Sequence, residues 1–120
     1  MRRLSVEITT AADGSATAYS PRVSGAVHSI VYEKIDFADG VDFTVTAEKT
    51  GEGIWAESNV NAAASRYPRA ATHTTAGAAA LYASGGTAVL DKPAIANDRF
   101  KIVIAQGGNA KSGVLHFLVD

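Results

Sequence analysis

The sequence contains no cysteine among its 120 residues, and that absence excludes several kinds of chemistry. Disulfide bonds, thiolate nucleophiles and cysteine-based zinc sites all require this residue. No apolar run reaches the roughly 20 residues that cross a membrane. The basic start, Arg2-Arg3, is not followed by the apolar stretch of a signal peptide, because Ser5, Glu7 and Thr9 interrupt it. The sequence therefore predicts a protein made in the cytoplasm, with no signal peptide and no membrane partner.

An excess of positive charge is also missing. Eleven Lys and Arg residues stand against twelve Asp and Glu, which gives a net charge of −1. A dedicated nucleic-acid-binding protein needs a basic patch to neutralise phosphates, so a nucleic-acid partner is not expected. Large apolar residues are limited as well, since 23 of the 120 residues are alanine. The remaining apolar residues suffice for one thin two-layer domain over residues 1–120, and not for a deep pocket.

Apolar and polar residues alternate with the period of two that is typical of half-buried β-strands. Leu4, Val6 and Ile8 show this pattern first, and Phe43 and Val45 repeat it. Turns rich in Gly, Pro and Asp separate the alternating segments. The spacing predicts an all-β fold, either a two-sheet sandwich or a jelly-roll-like barrel of seven to eight short strands. These strands are expected at residues 3–10, 15–19, 23–35, 41–48, 54–60, 87–90, 100–105 and 114–119.

The turn residues also predict which strands are neighbours. Asp13-Gly14 is a tight-turn signal, so residues 15–19 are expected to pair with the first strand. Residues 41–60 are predicted to form one hairpin and residues 99–119 a second. Between the later strands, residues 94–98 are expected to form a brief helical or irregular connection.

Residues 60–86 break the strand pattern. Ten of these 27 residues are alanine and none is Asp or Glu. The Ala-rich pieces 61–65 and 76–83 could each form a helical turn or two, because alanine has the highest helix propensity. They lack the apolar periodicity of a packed helix. We therefore predict a long loop excursion out of the sheets, and loops of this length are usually functional or disordered.

Three weak motifs could carry chemistry, and each fits a structural role better. The loop 107–113 does not match a phosphate-binding loop, because Ala105 and Ala110 stand where that motif has its two glycines. A strand, not a helix, is expected to follow it. His28, His73 and His116 show no metal-ligand spacing, and the aspartates around Gly40 do not follow the calcium-loop pattern. No G-x-S-x-G motif is present. The sequence therefore predicts no catalytic residue, no cofactor and no metal site, and a protein that is not an enzyme.

The distribution of charge points instead to partner binding by the excursion. Residues 33–57 carry seven acidic side chains and only two lysines, whereas residues 60–86 carry arginines and no acid. Arginine and tyrosine are typical anchors of protein interfaces. The alternative is a mobile or self-packed loop without a partner. The candidate partner-binding residues are Arg66, Tyr67, Pro68, Arg69, His73 and Tyr82.

Four features of the chain can be considered together. They are the strand at the start of the chain, Asp13-Gly14-Ser15 leading to Tyr19-Ser20-Pro21-Arg22-Val23, the Tyr67-Pro68-Arg69 segment and a closing glycine-rich hairpin at 107–113. Together they resemble the small all-β structural proteins of tailed bacteriophage virions. The resemblance spans most of the chain. It implies a virion location and, as the expected function, a capsid decoration (cement) protein that binds the major capsid protein and forms homo-oligomers in the assembly.

Two other functions remain open from the sequence. A neck or tail protein that forms a ring would share the virion setting. A carbohydrate- or ligand-binding β-sandwich is an alternative of a different class, in which Trp55 and tyrosine rings would serve as stacking surfaces.

Overall fold

A computed structural model describes residues 1–120 and shows an all-β chain. It contains eleven strands and no helix, so no helix that could cross a membrane is present. The strands are β1 (Arg2–Thr9), β2 (Ala16–Tyr19), β3 (Val23–Lys34), β4 (Val41–Ala47), β5 (Gly53–Val60), β6 (Ala64–Arg66), β7 (Ala70–Ala71), β8 (Leu90–Asp91), β9 (Ala94–Asp98), β10 (Phe100–Ala105) and β11 (Ser112–Val119).

Nine of these strands form two antiparallel sheets that share one core. The first sheet has the order β1-β11-β3, and both β6 and β9 pair with the outer edge of β3. The second sheet has the order β2-β10-β4-β5. The predicted all-β sandwich-like fold is confirmed. The strand count exceeds the prediction because β6, β7 and β9 were not expected. The strand predicted at 87–90 is wrong in its extent, since only Leu90 of that range is in a strand, the two-residue β8.

Alternation along the strands builds the core between the sheets. On β4, β10 and β11, every second side chain is buried and faces the opposite sheet. The ring of Phe100 stacks on that of Phe117 with centroids 4.4 Å apart, and Phe43 meets Tyr32 at 4.8 Å. Aromatic pairs at these separations join one sheet to the other.

The long strand β3 changes phase near its middle. Its pairing with β11 skips His28, because Val119 lies opposite Val27 while Leu118 lies opposite Ser29. An extra residue of this kind reverses the alternation of side chains that follow it. Val27 and Ile30 are therefore both buried, although a regular strand would place them on opposite faces.

Two of the predicted strand pairings are wrong. The Asp13-Gly14 turn forms, with Gly14 N–H bonded to Ala11 O at 3.0 Å, but β2 joins the second sheet and β1 the first. The predicted hairpin at 99–119 also divides between the sheets, since β10 and β11 face each other across the core. Turn chemistry reports a change of direction and does not reveal whether the chain returns beside the same strand. The hairpin at 41–60 is confirmed, because β4 pairs with β5.

The excursion from the sandwich begins and ends about six residues later than the predicted 60–86, and its backbone is paired. Residues 64–66 still pair with β3, and residues 94–98 form a strand and not a helical connection. The segment 67–92, here called the arm, leaves the edge of β3 between β6 and β9. Its Ala-rich part forms no helical turn, because no apolar face exists to bury one. Its backbone pairs instead through β7 and β8 and through single bridges, His73 with Ala79 and Leu81 with Ala88.

Candidate partner-binding site

The arm lies outside the core of the sandwich. No residue from 61 to 92 is buried. The molecule measures 49 × 30 × 23 Å and has a radius of gyration of 15.5 Å. A compact domain of 120 residues has a radius of gyration of about 13.6 Å. The difference shows that the chain is elongated.

Exposed apolar side chains are concentrated on the arm. The protein exposes eight large hydrophobic side chains, and four of them are Tyr67, Leu81, Tyr82 and Leu90. Tyr82 is 74% exposed, more than any of the other seven. Leu81 and Leu90 were missed from the sequence, although they are the only leucines in the acid-free stretch 58–90. Leu81 and Tyr82 are adjacent in sequence, and exposed apolar side chains of this kind can form part of an interaction surface.

Arg66, a predicted partner-binding residue, lies just before the arm and binds within the protein. Its guanidinium donates to both carboxylate oxygens of Glu57 on β5, at 2.7 and 2.9 Å. The bond from Arg66 lowers the pKa of Glu57, and the same contact raises the pKa of Arg66. Arg66 therefore positions the first residues of the arm against the second sheet.

The remaining predicted residues at the base of the arm contact β3. The ring of Tyr67 meets that of His28 edge-on at 5.9 Å. Arg69 donates to the backbone oxygen of His28 at 3.2 Å and to that of Pro68 at 2.6 Å. These contacts fix the direction in which the arm leaves the sheet.

His73 and Tyr82 lie farther along the arm and are separate from the group at the base. His73 is exposed where it bridges to Ala79. The backbone of Tyr82 bonds to Thr87 O at 3.1 Å, which presents its side chain at a tight turn. The structure thus brings Arg66, Tyr67, Pro68 and Arg69 together and places the two other residues in the outer part of the arm.

The returning end of the arm is also anchored. Lys92 forms an ion pair with Asp120, and this contact lowers the pKa of Asp120. The backbone N–H of Val27 then donates to Pro93 O at 2.8 Å. Both ends of the arm are therefore held by the first sheet, while the part between them has exposed side chains.

The three aspartates near Gly40 do not form a metal site. No three His, Asp or Glu side chains lie close enough together to hold a metal ion. Asp36 accepts from Ser112 N–H at 2.5 Å, and Asp42 accepts from Asn59 N–H at 2.9 Å. Asp39 pairs with Lys34. Each carboxylate already has a partner and stabilises a loop or strand end.

The aromatic residues that could stack on a sugar are not adjacent. Trp55 lies on β5 with one ring face against Phe43 at 5.1 Å, and its N–H points to Glu57 at 3.4 Å. Tyr19 lies on β2, at the other edge of the same sheet, under the guanidinium of Arg99 at 4.3 Å. The two exposed ring surfaces therefore do not combine into one stacking surface.

No family model, no curated protein and no solved structure matches this chain.

Proposed function

We propose that the chain is a structural protein that binds a multi-subunit shell through the arm. The specific assignment is a decoration protein of a tailed-bacteriophage capsid, whose partner is the major capsid protein. The arm supports this proposal most directly, because it carries four of the eight exposed large hydrophobic side chains and buries none of its own residues. The bacteriophage setting is supported by the resemblance in sequence.

The energetics of the arm favour a partner. Fixing a backbone costs about 1–2 kcal/mol per residue, and burial of apolar area is the main term that offsets it. Within the arm, side chains such as Leu81 and Leu90 provide little burial while they remain exposed. The arm spans residues 67–92, which corresponds to the roughly 20–30 residues on one side of a standard protein interface. Docking on a neighbour would supply the missing burial.

The chemistry of the arm also defines the surface that receives it. Residues 67–90 of the arm contain Arg69 and His73 but no Asp or Glu, and Asp91 lies at its returning end beside Lys92. Such a segment fits an apolar groove whose rim carries carboxylates. A decoration protein that binds only the assembled shell stabilises that shell by mass action. The sandwich would then remain on the outside while the arm lies between subunits.

The test compares arm variants on purified shells that lack this chain. We expect Leu81→Ala combined with Tyr82→Ala to reduce occupancy by at least about tenfold, since central apolar anchors contribute most of the binding energy. Ile35→Ala is the control, because Ile35 is exposed and follows the end of β3, seven residues beyond His28, which the base of the arm contacts. Occupancy is measured by co-sedimentation and quantitative mass spectrometry. Undiminished binding of the double variant, or virions without this chain, would overturn the proposal.

A ring in the neck or tail is the second candidate. A projecting arm that docks on a different surface of the next copy makes a head-to-tail contact, and such contacts close into rings. Copy number separates the two functions. A decoration protein is present in hundreds of copies per particle, whereas a ring has about six or twelve.

A further inference from the structure

A hydrogen-bonded chain of three side chains crosses the outer face of the first sheet. Ser5 on β1 lies directly opposite His116 on β11, and Glu33 lies on the adjacent strand β3. Ser5 Oγ is 2.7 Å from His116 Nδ1, and His116 Nε2 is 2.9 Å from Glu33 Oε1. These distances match a nucleophile, a base and an orienting carboxylate.

The carboxylate fixes the roles of the two imidazole nitrogens. An ionised Glu33 can only accept, so Nε2 of His116 must carry the proton that it receives. In the neutral imidazole, Nδ1 then has no proton and accepts from the hydroxyl of Ser5. The hydroxyl proton therefore already points at a base.

A cavity of about 450 Å³ lies beside two of these three side chains, His116 and Glu33. The apolar side chains of Val31 and Leu118 also line it. Ser5 is not a lining residue and is connected to the cavity through its bond to His116. Arg3 lines it as well and forms no ion pair within the protein. The cavity thus combines an apolar surface for an acyl group with a cation that can stabilise developing negative charge.

The backbone supplies a second donor for that charge. β1 is an edge strand, and the N–H of Thr10 at its end donates to Lys111 O on the β11 side at 2.8 Å. Alternate residues of an antiparallel edge strand point their N–H groups away from the partner. The register from Arg2 to Thr9 is continuous, so the N–H of Ser5 faces the free edge.

We propose that Ser5 is an activated nucleophile that reacts with short-chain carboxylic esters. Ser5 Oγ attacks the ester carbonyl carbon while its proton moves to His116 Nδ1. Arg3 and the Ser5 N–H stabilise the oxyanion. The C–O bond to the alcohol then breaks, and the alcohol leaves with the proton from Nδ1. Water then attacks the acyl carbon and gives a proton to the same nitrogen. The bond from that carbon to Ser5 Oγ breaks, the acid leaves, and Nδ1 returns the proton to Ser5 Oγ.

The first test is covalent labelling of the full chain with a fluorophosphonate probe, and peptide mass spectrometry locates the adduct. A second assay measures the hydrolysis of p-nitrophenyl acetate. We expect a single adduct on Ser5 and its loss in Ser5→Ala. His116→Ala should slow labelling by about 10²-fold or more, the usual contribution of a general base. Thr9→Ala is the control, because Thr9 lies on the same strand and bonds to Ser112 instead of a histidine. No adduct, or equal labelling of several serines, would overturn the proposal.

Glu33 is a positioning residue and needs a separate readout. In Glu33→Gln the side-chain amide can donate to Nε2, which frees the imidazole to place its proton on Nδ1. We expect ¹⁵N NMR to show the Nε2–H tautomer of His116 in the wild type and a shift toward Nδ1–H in the variant, together with slower labelling. Melting curves confirm that each variant folds. An unchanged tautomer together with an unchanged labelling rate would contradict the role of Glu33.

Discussion

Arg66 and Glu57 join the two sheets at the place where the arm begins. Their side chains form two parallel hydrogen bonds, Nε to Oε1 at 2.7 Å and Nη2 to Oε2 at 2.9 Å. Arg66 lies on β6 in the first sheet and Glu57 on β5 in the second. The side chains are 41% and 32% exposed, so water screens much of their attraction. The pair therefore makes a modest contribution to the stability of the contact between the two sheets.

Arg66→Ala should destabilise the protein by about 0.5–1 kcal/mol near neutral pH, at the upper end for a solvent-exposed pair because both bonds are made. The pKa of Glu57 is held below 4.5, so the folded state favours the ionised carboxylate. This contribution is present above the unfolded pKa and is lost as pH falls through the folded one. Denaturant unfolding of both proteins at neutral pH and at about pH 2 measures it. An equal difference at the two pH values would contradict the assignment.

The sandwich should fold without the outer part of the arm. Ala70 and Asp91 pair directly, so residues 71–90 can be replaced by a two-residue Asn-Gly turn. No buried side chain is removed, and a shorter loop costs less entropy to close. We expect a melting temperature equal to or above that of the full chain, with loss of shell binding. A large fall in melting temperature would show that the arm contributes to the stability of the sandwich.

The stacked pair of Phe100 and Phe117 should be among the most sensitive positions in the core. Both side chains are 0% exposed, and their rings are nearly parallel, with planes 8° apart. We expect Phe117→Ala to reduce the free energy of unfolding by about 3–5 kcal/mol, through lost burial and the cavity that remains. Tyr82→Ala removes a ring of similar size from the surface and should change the free energy of unfolding by about 0.5 kcal/mol or less. Urea unfolding compares them, and equal losses would contradict this account of the core.

Local patterns predicted the long strands but, apart from the pairing of β4 with β5, not their partners. Strands such as β4 and β10 follow from alternation alone, because a half-buried strand needs an apolar residue at every second position. Their placement depends on which sheet the chain enters after each turn. Asp13-Gly14 gives the same turn signal whether β2 returns beside β1 or crosses to the opposite sheet. Only long-range packing decides between these outcomes.

The candidate sites show the same limit. The acid-free composition of residues 60–86 predicted an excursion, since such a segment has neither an apolar period nor local ion pairs. The partner of Arg66 could not be predicted, because the bond to Glu57 exists only once the two sheets close. Ser5 and His116 are 111 residues apart in sequence, and only the pairing of β1 with β11 brings them together.

Tyr32 buries a hydroxyl group that has no hydrogen-bond partner within the protein. Its ring packs between Phe37 and Phe43, and the residue is 2% exposed. An unsatisfied buried polar group costs about 1–3 kcal/mol. Tyr32→Phe keeps the ring and removes that oxygen, so we expect the free energy of unfolding to rise by up to about this amount. A less stable variant would show that the hydroxyl is bonded in solution.

The same substitution should remove a pH dependence at the alkaline end. Burial, with a smaller contribution from the negative charge of Asp39, raises the pKa of Tyr32 from 10.0 to about 12. The folded state therefore holds this proton more tightly than the unfolded state. The resulting stability is complete below the unfolded pKa and is lost as pH rises through the folded value. Denaturant unfolding between pH 9 and about pH 12 should show this loss of stability in the wild type and a smaller loss in Tyr32→Phe. Tyr82→Phe is the control, because the hydroxyl that it removes is exposed, and it should lose as much stability as the wild type. Identical slopes in all three proteins would mean that Tyr32 ionises as it does in the unfolded chain.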